Sequence, residues 1–239
     1  MPGQSAGWPD GMIVGFDLET TSPDPMTALP VSYALSFFDG QQLVSTQRSL
    51  IDPGVPTDPG AIAVHGIANK MVHSEGVSLD VGLPQVVDVL MEYSSLGHPV
   101  VGMNLRYDLT IIDRLHRETF DGAGLTELGW DGPVIDVSVI DRRMDKWRKG
   151  KRKLSDLCQH YGVDLDHAQA AGADAEASVR VALAIAAAYP EIGEASPRDL
   201  HTLQIGRHRE WADDFSDWRV GKGMEPLDPS EGDWPFSRA

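Results

Sequence analysis

A single cysteine, Cys158, stands among the 239 residues of the chain. That scarcity excludes an intramolecular disulfide and any cysteine-rich zinc site. Long hydrophobic runs are missing too: no apolar stretch approaches the ~20 residues of a membrane span. The opening MPGQSAGWPDG has neither the basic flank nor the apolar core of a signal peptide. The expectation is a cytoplasmic protein that makes no use of a membrane. Positive charge is also short. Against 36 Asp and Glu there are 20 Lys and Arg, a formal net charge of −16, which at face value argues against a nucleic-acid partner.

The deficit is uneven. Residues 141–153, DRRMDKWRKGKRK, hold eight of the basic residues and two acids, leaving a net of −22 outside that run. Two readings stay open: a solvated flexible loop, or a strip that steers phosphates across an otherwise repelling surface. With 41% apolar and 23% charged residues, the composition is that of an ordinary globular protein.

Periodicity organises the chain into a meander of strands followed by strands alternating with helices, which means a mixed sheet covered by helices. Ile13–Glu19 reads as a strand. VSYALSFFDGQQLVSTQRSL reads as a hairpin turning at Asp39-Gly40. PVVGMN (99–104) and PVIDVSVI (133–140) read as further strands. Helices are predicted over 82–93, 107–118, 153–162 and 170–189. Beyond Pro190 a helix restarts at 196–220, capped by Ser196 with Pro197 at its first position. Its stripe of Leu200, Leu203, Trp211, Phe215 and Trp218 is expected to pack on the main domain. The resulting division is a short tail at 1–11, a principal domain at 12–190 and a C-terminal helical extension with tail at 191–239.

The strand MIVGFDLET raises a chemical question, because its alternation sets Asp17 and Glu19 on one face. Side by side and unpaired, two carboxylates repel and raise each other's pKa, a penalty that a divalent cation reverses. The helices supply more acids. In YDLTIIDRL, Asp108 shares a face with Ile111, Ile112 and Leu115, whereas Asp113 lies off that stripe and reads as a solvated acid. In the Ala-rich helix, Asp174 shares a face with Val181, Ala182 and Ile185, and Glu176 is turned away. A first-turn acid that favours the helix dipole could explain one such residue, but hardly Asp17, Glu19, Asp108 and Asp174 together. Four carboxylates without cysteine suit Mg²⁺ or Mn²⁺. A pair of such ions is the usual device for in-line displacement at phosphorus.

VGFDLETTSPDP resembles the first motif of the DEDD 3′–5′ exonucleases, the group of the DNA polymerase III epsilon proofreading subunit. VVGMNLRYDLTIIDRL is similar to the second, and GVDLDHAQAAGADAEA falls where the third belongs. AVHGI, with His65, is also family-like. The resemblance covers roughly residues 12–189, and the last 50 residues resemble extensions on actinobacterial and phage members of the group. It implies an α/β ribonuclease-H-like fold with a five-stranded mixed sheet. It further implies a site for two Mg²⁺ or Mn²⁺ ions held by Asp17, Glu19, Asp108 and Asp174, with Thr20, His65 and Asn104 near the terminal nucleotide. The implied substrate is the 3′ end of single-stranded DNA, with RNA as an alternative, and a DNA polymerase is the implied partner. The implied reaction hydrolyses the last phosphodiester and releases nucleoside 5′-monophosphates.

One departure stands out. The family's general base lies five residues before the last acid in its histidine branch and four before in its tyrosine branch, positions held here by Gln169 and Ala170. His167 lies two residues upstream of the histidine slot. A glutamine can position water through its amide but cannot take its proton. The sequence therefore also admits a weakened, nucleic-acid-binding or polymerase-associated module.

Overall fold

The computed structural model describes residues 7–120, 122–164 and 172–237. In chain order its principal elements are β1 (Met12–Thr20), β2 (Pro30–Asp39), β3 (Gln42–Asp52), α1 (Pro59–His65), α2 (Asn69–Glu75), β4 (Val77–Ser78), α3 (Leu79–Leu96), β5 (Val100–Gly102), α4 (Leu105–Thr119), β6 (Val134–Asp136), α5 (Val137–Met144), α6 (Leu154–Tyr161), α7 (Ala173–Ala188), α8 (Pro190–Gly193) and α9 (Pro197–Gly221). The sheet runs β4-β3-β2-β1-β5-β6. β1, β2 and β3 form the antiparallel meander, and β5 and β6 continue it parallel to β1. These are the five expected strands; β4 adds a two-residue sixth beside β3.

The alternation of β1 divides the core. Val14, Phe16 and Leu18 pack with residues of α3 and α4 on one face of the sheet. Ile13 belongs to the other face, where α5, α6 and α7 lie. Gly15, Asp17 and Glu19 share that second face by their spacing. A Cβ on Gly15 would sit 2.5 Å from the Ala175 carbonyl oxygen and 2.8 Å from Val179 Cγ2. The missing side chain lets the first turn of α7 rest directly on β1, and this contact brings Asp174 toward Asp17.

PVIDVSVI was expected to be one strand, yet only Val134–Asp136 is extended and α5 starts at Val137. The Asp136 carboxylate ends the strand by capping: it accepts the Ser138 backbone N–H at 2.9 Å and the Ser138 hydroxyl at 2.7 Å. It also accepts the backbone N–H of Asn104 at 3.0 Å and of Leu105 at 2.9 Å, so one buried acid fixes the start of both α4 and α5.

β6 would be an open edge, a template for unwanted pairing. The extension covers it. Gln204 on α9 acts as a substitute peptide group, its Oε1 accepting Asp136 N–H at 2.7 Å and its Nε2 donating to the Val134 carbonyl at 2.8 Å. His201 Nδ1 accepts the Val134 N–H at 3.2 Å. At the other end of the chain, buried Trp8 donates its indole N–H to the Ile192 carbonyl at 2.8 Å.

The aromatic stripe of α9 divides in two, against the expectation that it all packs inward. Leu200 is buried with His201, Gln204, His208 and Ala212, while Leu203 and Trp218 are exposed. α9 meets the main body at β6 and α5, and its second half lies beside α5 and the residues that follow it, with Arg142 over Trp211 and Lys146 paired to Asp214.

Candidate metal centre

The C-terminal half of β1 and the first turns of α4 and α7 bring four carboxylates together. Oxygens of Asp17, Glu19 and Asp174 all lie within 4.8 Å of one another, a set that could hold a metal ion. Asp108 stands beside them. It is buried, and its Oδ1 accepts the Leu18 backbone N–H at 3.2 Å, tying the first turn of α4 to β1. Asp174 corrects the reading from its helical face, since it is exposed. Its position in the first turn of α7 turns it to the mouth of the cleft rather than into the core.

The electrostatics show what this arrangement lacks. Burial, then the charges of Asp108, Glu19 and Asp174, pushes Asp17 well above the usual carboxylate range. Burial raises Asp108 well above it as well; the Leu18 amide opposes the shift, and Asp136 and Glu19 add to it. Burial followed by the Asp174 charge pushes Glu19 up to about 7. Asp174 is raised because the cleft walls displace water from its carboxyl, even though the side chain is reachable by solvent. The charges acting on the four groups are other carboxylates, not cations. Carboxylate oxygens at this spacing, with no cationic side chain acting on them among the described residues, fit a hard divalent cation.

Of the residues expected near a nucleotide, Thr20 ends β1, His65 ends α1 and Asn104 precedes α4. Thr20 is buried, and its hydroxyl lies 2.6 Å from the Tyr107 hydroxyl, which donates to the Ser22 carbonyl at 2.5 Å. His65 Nδ1 accepts the Ile67 N–H at 3.0 Å, while its Nε2 is buried without a hydrogen-bond partner among the described residues. Burial lowers the pKa of this imidazole, opposed by the nearby Thr20 carbonyl, so the neutral ring is favoured. Asn104, at the N-cap of α4, is the one non-glycine with positive φ among the described residues (62°), a conformation that asparagine tolerates. Its side chain is exposed. Gln169 and His167 lie outside the described residues.

Two further residues depart from the sequence reading. Asp113 is not a solvated acid: it accepts the Leu125 N–H at 2.7 Å and pairs with Arg117 at 3.3 Å. The basic run is neither a free loop nor wholly available to phosphates. It folds around Asp141, which is fully buried. Arg148 donates to both oxygens of this acid at 3.0 and 2.8 Å, Arg152 pairs with it, and the Tyr161 hydroxyl donates at 2.9 Å. Lys149 and Lys151 are left exposed. Cys158 is buried near Asp174; burial, then that charge, pushes its thiol up to about 11, which leaves it unreactive at neutral pH.

Sheet order, helical cover and acid cleft together define a ribonuclease-H-like α/β domain, the fold of the solved Exonuclease I structures. E. coli Exonuclease I in complex with a dT13 oligonucleotide superposes with a TM-score of 0.63 at 17% identity, over 76% of this chain and 42% of that one. In sequence, the chain is 30% identical over 165 residues to the PolC-type DNA polymerase III of Lacticaseibacillus paracasei, covering 69% of this chain. It is 22% identical over 205 residues to that of Caldanaerobacter subterraneus. It spans only about a tenth of the length of these polymerases (10% and 14%). No family model matches the chain. Among the described residues, no helix is long and apolar enough to cross a membrane.

Proposed function

We propose that the protein is a divalent-metal-dependent 3′–5′ exonuclease that removes nucleoside 5′-monophosphates from single-stranded DNA ends. The observation that carries this reading is the convergence of Asp17, Glu19 and Asp174 within 4.8 Å, with Asp108 alongside. Asp17, Glu19 and Asp174 would hold one Mg²⁺ or Mn²⁺, and Asp17 with Asp108 a second. Such ions, when bound, lower the pKa of water and neutralise charge developing on a phosphate. The chain's own contribution is position. The Leu18 amide and the Asp136 caps hold α4, and therefore Asp108, in register with β1. Thr20, next to Glu19, and Asn104, at the cap of the helix that carries Asp108, would contact the terminal nucleotide, and His65 Nε2, buried without a hydrogen-bond partner among the described residues, would donate to one of its oxygens.

A weakened enzyme is the second reading, and Gln169 in the base position favours it. A 3′-labelled oligonucleotide incubated with Mn²⁺ separates the two. Stepwise shortening is expected for the exonuclease, and binding without any shortening would sink it. The same assay on an RNA strand tests the trimming alternative. A polymerase partner is proposed from the sequence resemblance, and co-purification of the full chain with a replicative polymerase would test it.

A further inference from the structure

The second half of α9 carries an aromatic ladder for which the cleft chemistry gives no reason. Trp211 and Phe215 stack with centroids 5.7 Å apart and planes within 13°; Phe215 and Trp218 repeat the arrangement at 5.6 Å and 12°. Trp218 is 53% exposed, an unusual position for so large an apolar ring. The Arg142 guanidinium lies 4.5 Å above the Trp211 ring. Between α5 and α9 the ladder borders an open groove of about 710 Å³, also lined by Arg143, Lys146 and Arg207. Lys146 and Arg207 pair at the surface with Asp214 and Glu210, and Lys146 also lies over the Trp147 ring. Arg142 and Arg143 make no ion pair among the described residues.

The ladder's position follows from its anchors. His201 meets Val134, and Gln204 reaches both Val134 and Asp136, so the first half of α9 lies along β6. β6 is parallel to β1, and its last residue, Asp136, adds to the charge felt by Asp108. At 1.5 Å per residue, Trp218 lies roughly 20 Å along α9 from Gln204, whose side chain meets Asp136. α5, the other wall of the groove, packs on the same sheet face as α7, which bears Asp174.

We propose that this groove is a second binding site for single-stranded DNA, holding the part of the strand that trails from the cleft. The proposal rests on the exonuclease reading for its substrate. Stacked rings offer a platform that accepts any base, and arginines beside them meet the backbone, the combination used for sequence-independent single-strand binding. Charge complementarity favours a polyanion here: the basic run that supplies Arg142, Arg143 and Lys146 is set in a chain of net charge −16. Two acids, Glu210 and Asp214, also line the groove, but bases outnumber them there. An acidic protein segment is the alternative occupant.

The test uses the full chain in EDTA, where no hydrolysis intervenes, and the anisotropy of 5′-labelled dT20 and dT4. The parent is expected to bind dT20 at least 10-fold more tightly than dT4. Phe215→Ala combined with Trp218→Ala should remove most of that length advantage, since each lost platform is worth about 10-fold. Trp218→Phe, which keeps a ring, should retain it, and the thermal midpoint of each variant reports folding. Arg142→Gln should lower the salt slope for dT20 by about one unit. An undiminished preference for dT20 in the double alanine variant overturns the proposal. So does unchanged dT20 binding together with lost binding of an oligoglutamate peptide, which gives the groove to a protein partner. A parent that binds dT20 through the ladder yet never cleaves it with Mn²⁺ supports the groove and removes only the exonuclease reading.

Discussion

The protein buries acids in two regions, and it treats them in opposite ways. At Asp141 the carboxylate is fully enclosed, and every neighbour answers it: two arginines and a tyrosine hydroxyl. Asp136 follows the same rule with three backbone amides. In the cleft, Asp17, Glu19, Asp108 and Asp174 face chiefly one another, and all four are pushed toward the protonated state. A buried acid is therefore no marker of function in itself. A buried acid whose neighbours share its charge is a stronger one, because the fold holds an unfavourable arrangement that a bound cation would relieve.

Removing one member of each group should give contrary results. Asp17→Ala and Asp108→Ala should each lower Mn²⁺-dependent hydrolysis by ~10³-fold or more, comparable with or beyond the loss of one strong electrostatic group in an active site. Asp17→Ala should also raise the thermal midpoint of the metal-free protein, since a repelling charge is gone, whereas Asp108→Ala gives up part of that gain with the Leu18 N–H bond. Full turnover in either variant would end the two-metal reading. Asp141→Ala should do the reverse to stability. It strands Arg148 and Arg152, whose side chains are 14% and 17% exposed, and breaking such a pair costs about 3–5 kcal/mol. Urea unfolding measures it, and a cost under about 1 kcal/mol would erase the contrast between the regions.

A smaller effect concerns the base. If the cleft is otherwise complete, Gln169→His should raise turnover by ~10-fold or more, with a new pH limb near 6.5. His167→Ala is the control: if His167 already takes the proton, that change cripples the parent and the histidine at 169 adds little. Unchanged rates in both variants would show that neither position meets the attacking water.

Local periods made much of this legible. The two-residue period of β1 exposes the pairing of Asp17 with Glu19, and the helical spacing of Asp108 with Ile111, Ile112 and Leu115 places it on a buried face. Where long-range partners decide, the sequence is silent. Asp113 looks solvated until the Leu125 amide, 12 residues away, closes on it. The charge run at 141–153 has no period, so its winding about Asp141 leaves no trace in the pattern. PVIDVSVI misleads because a continuous apolar run outweighs one acid; Asp136 followed two residues later by Ser138 was the available signal for a helix cap. The exposed face of α9 escapes the sequence for a related reason. Spacing says which residues share a face, and the length of helix beyond β6 decides which of them find anything to pack on.

The smallest effect tests the electrostatic half of the comparison through pH. Glu19 has a folded-state pKa of about 7, above its ordinary value of 4.5. A raised acid pKa means that the folded state holds the proton more tightly than the unfolded chain. Its stabilising contribution is present at low pH and is lost as pH rises through the folded value. Buried histidines act in the opposite direction: burial lowers His201 to about 4, so its contribution is lost as pH falls below 6.5. The raw pH profile of the metal-free protein mixes both, and a variant must isolate the acid. Glu19→Gln keeps the shape and cannot ionise. In EDTA, the thermal midpoints of parent and variant should lie close together at pH 5, then separate by a few degrees as pH rises to 8, the parent falling behind. With saturating Mn²⁺ the parent should recover, because the ion replaces the proton as counter-charge, and the variant should gain less. Parallel profiles across that range in EDTA would mean that Glu19 is no more strained in the cleft than in water. The contrast with Asp141 would then reduce to hydrogen bonding alone.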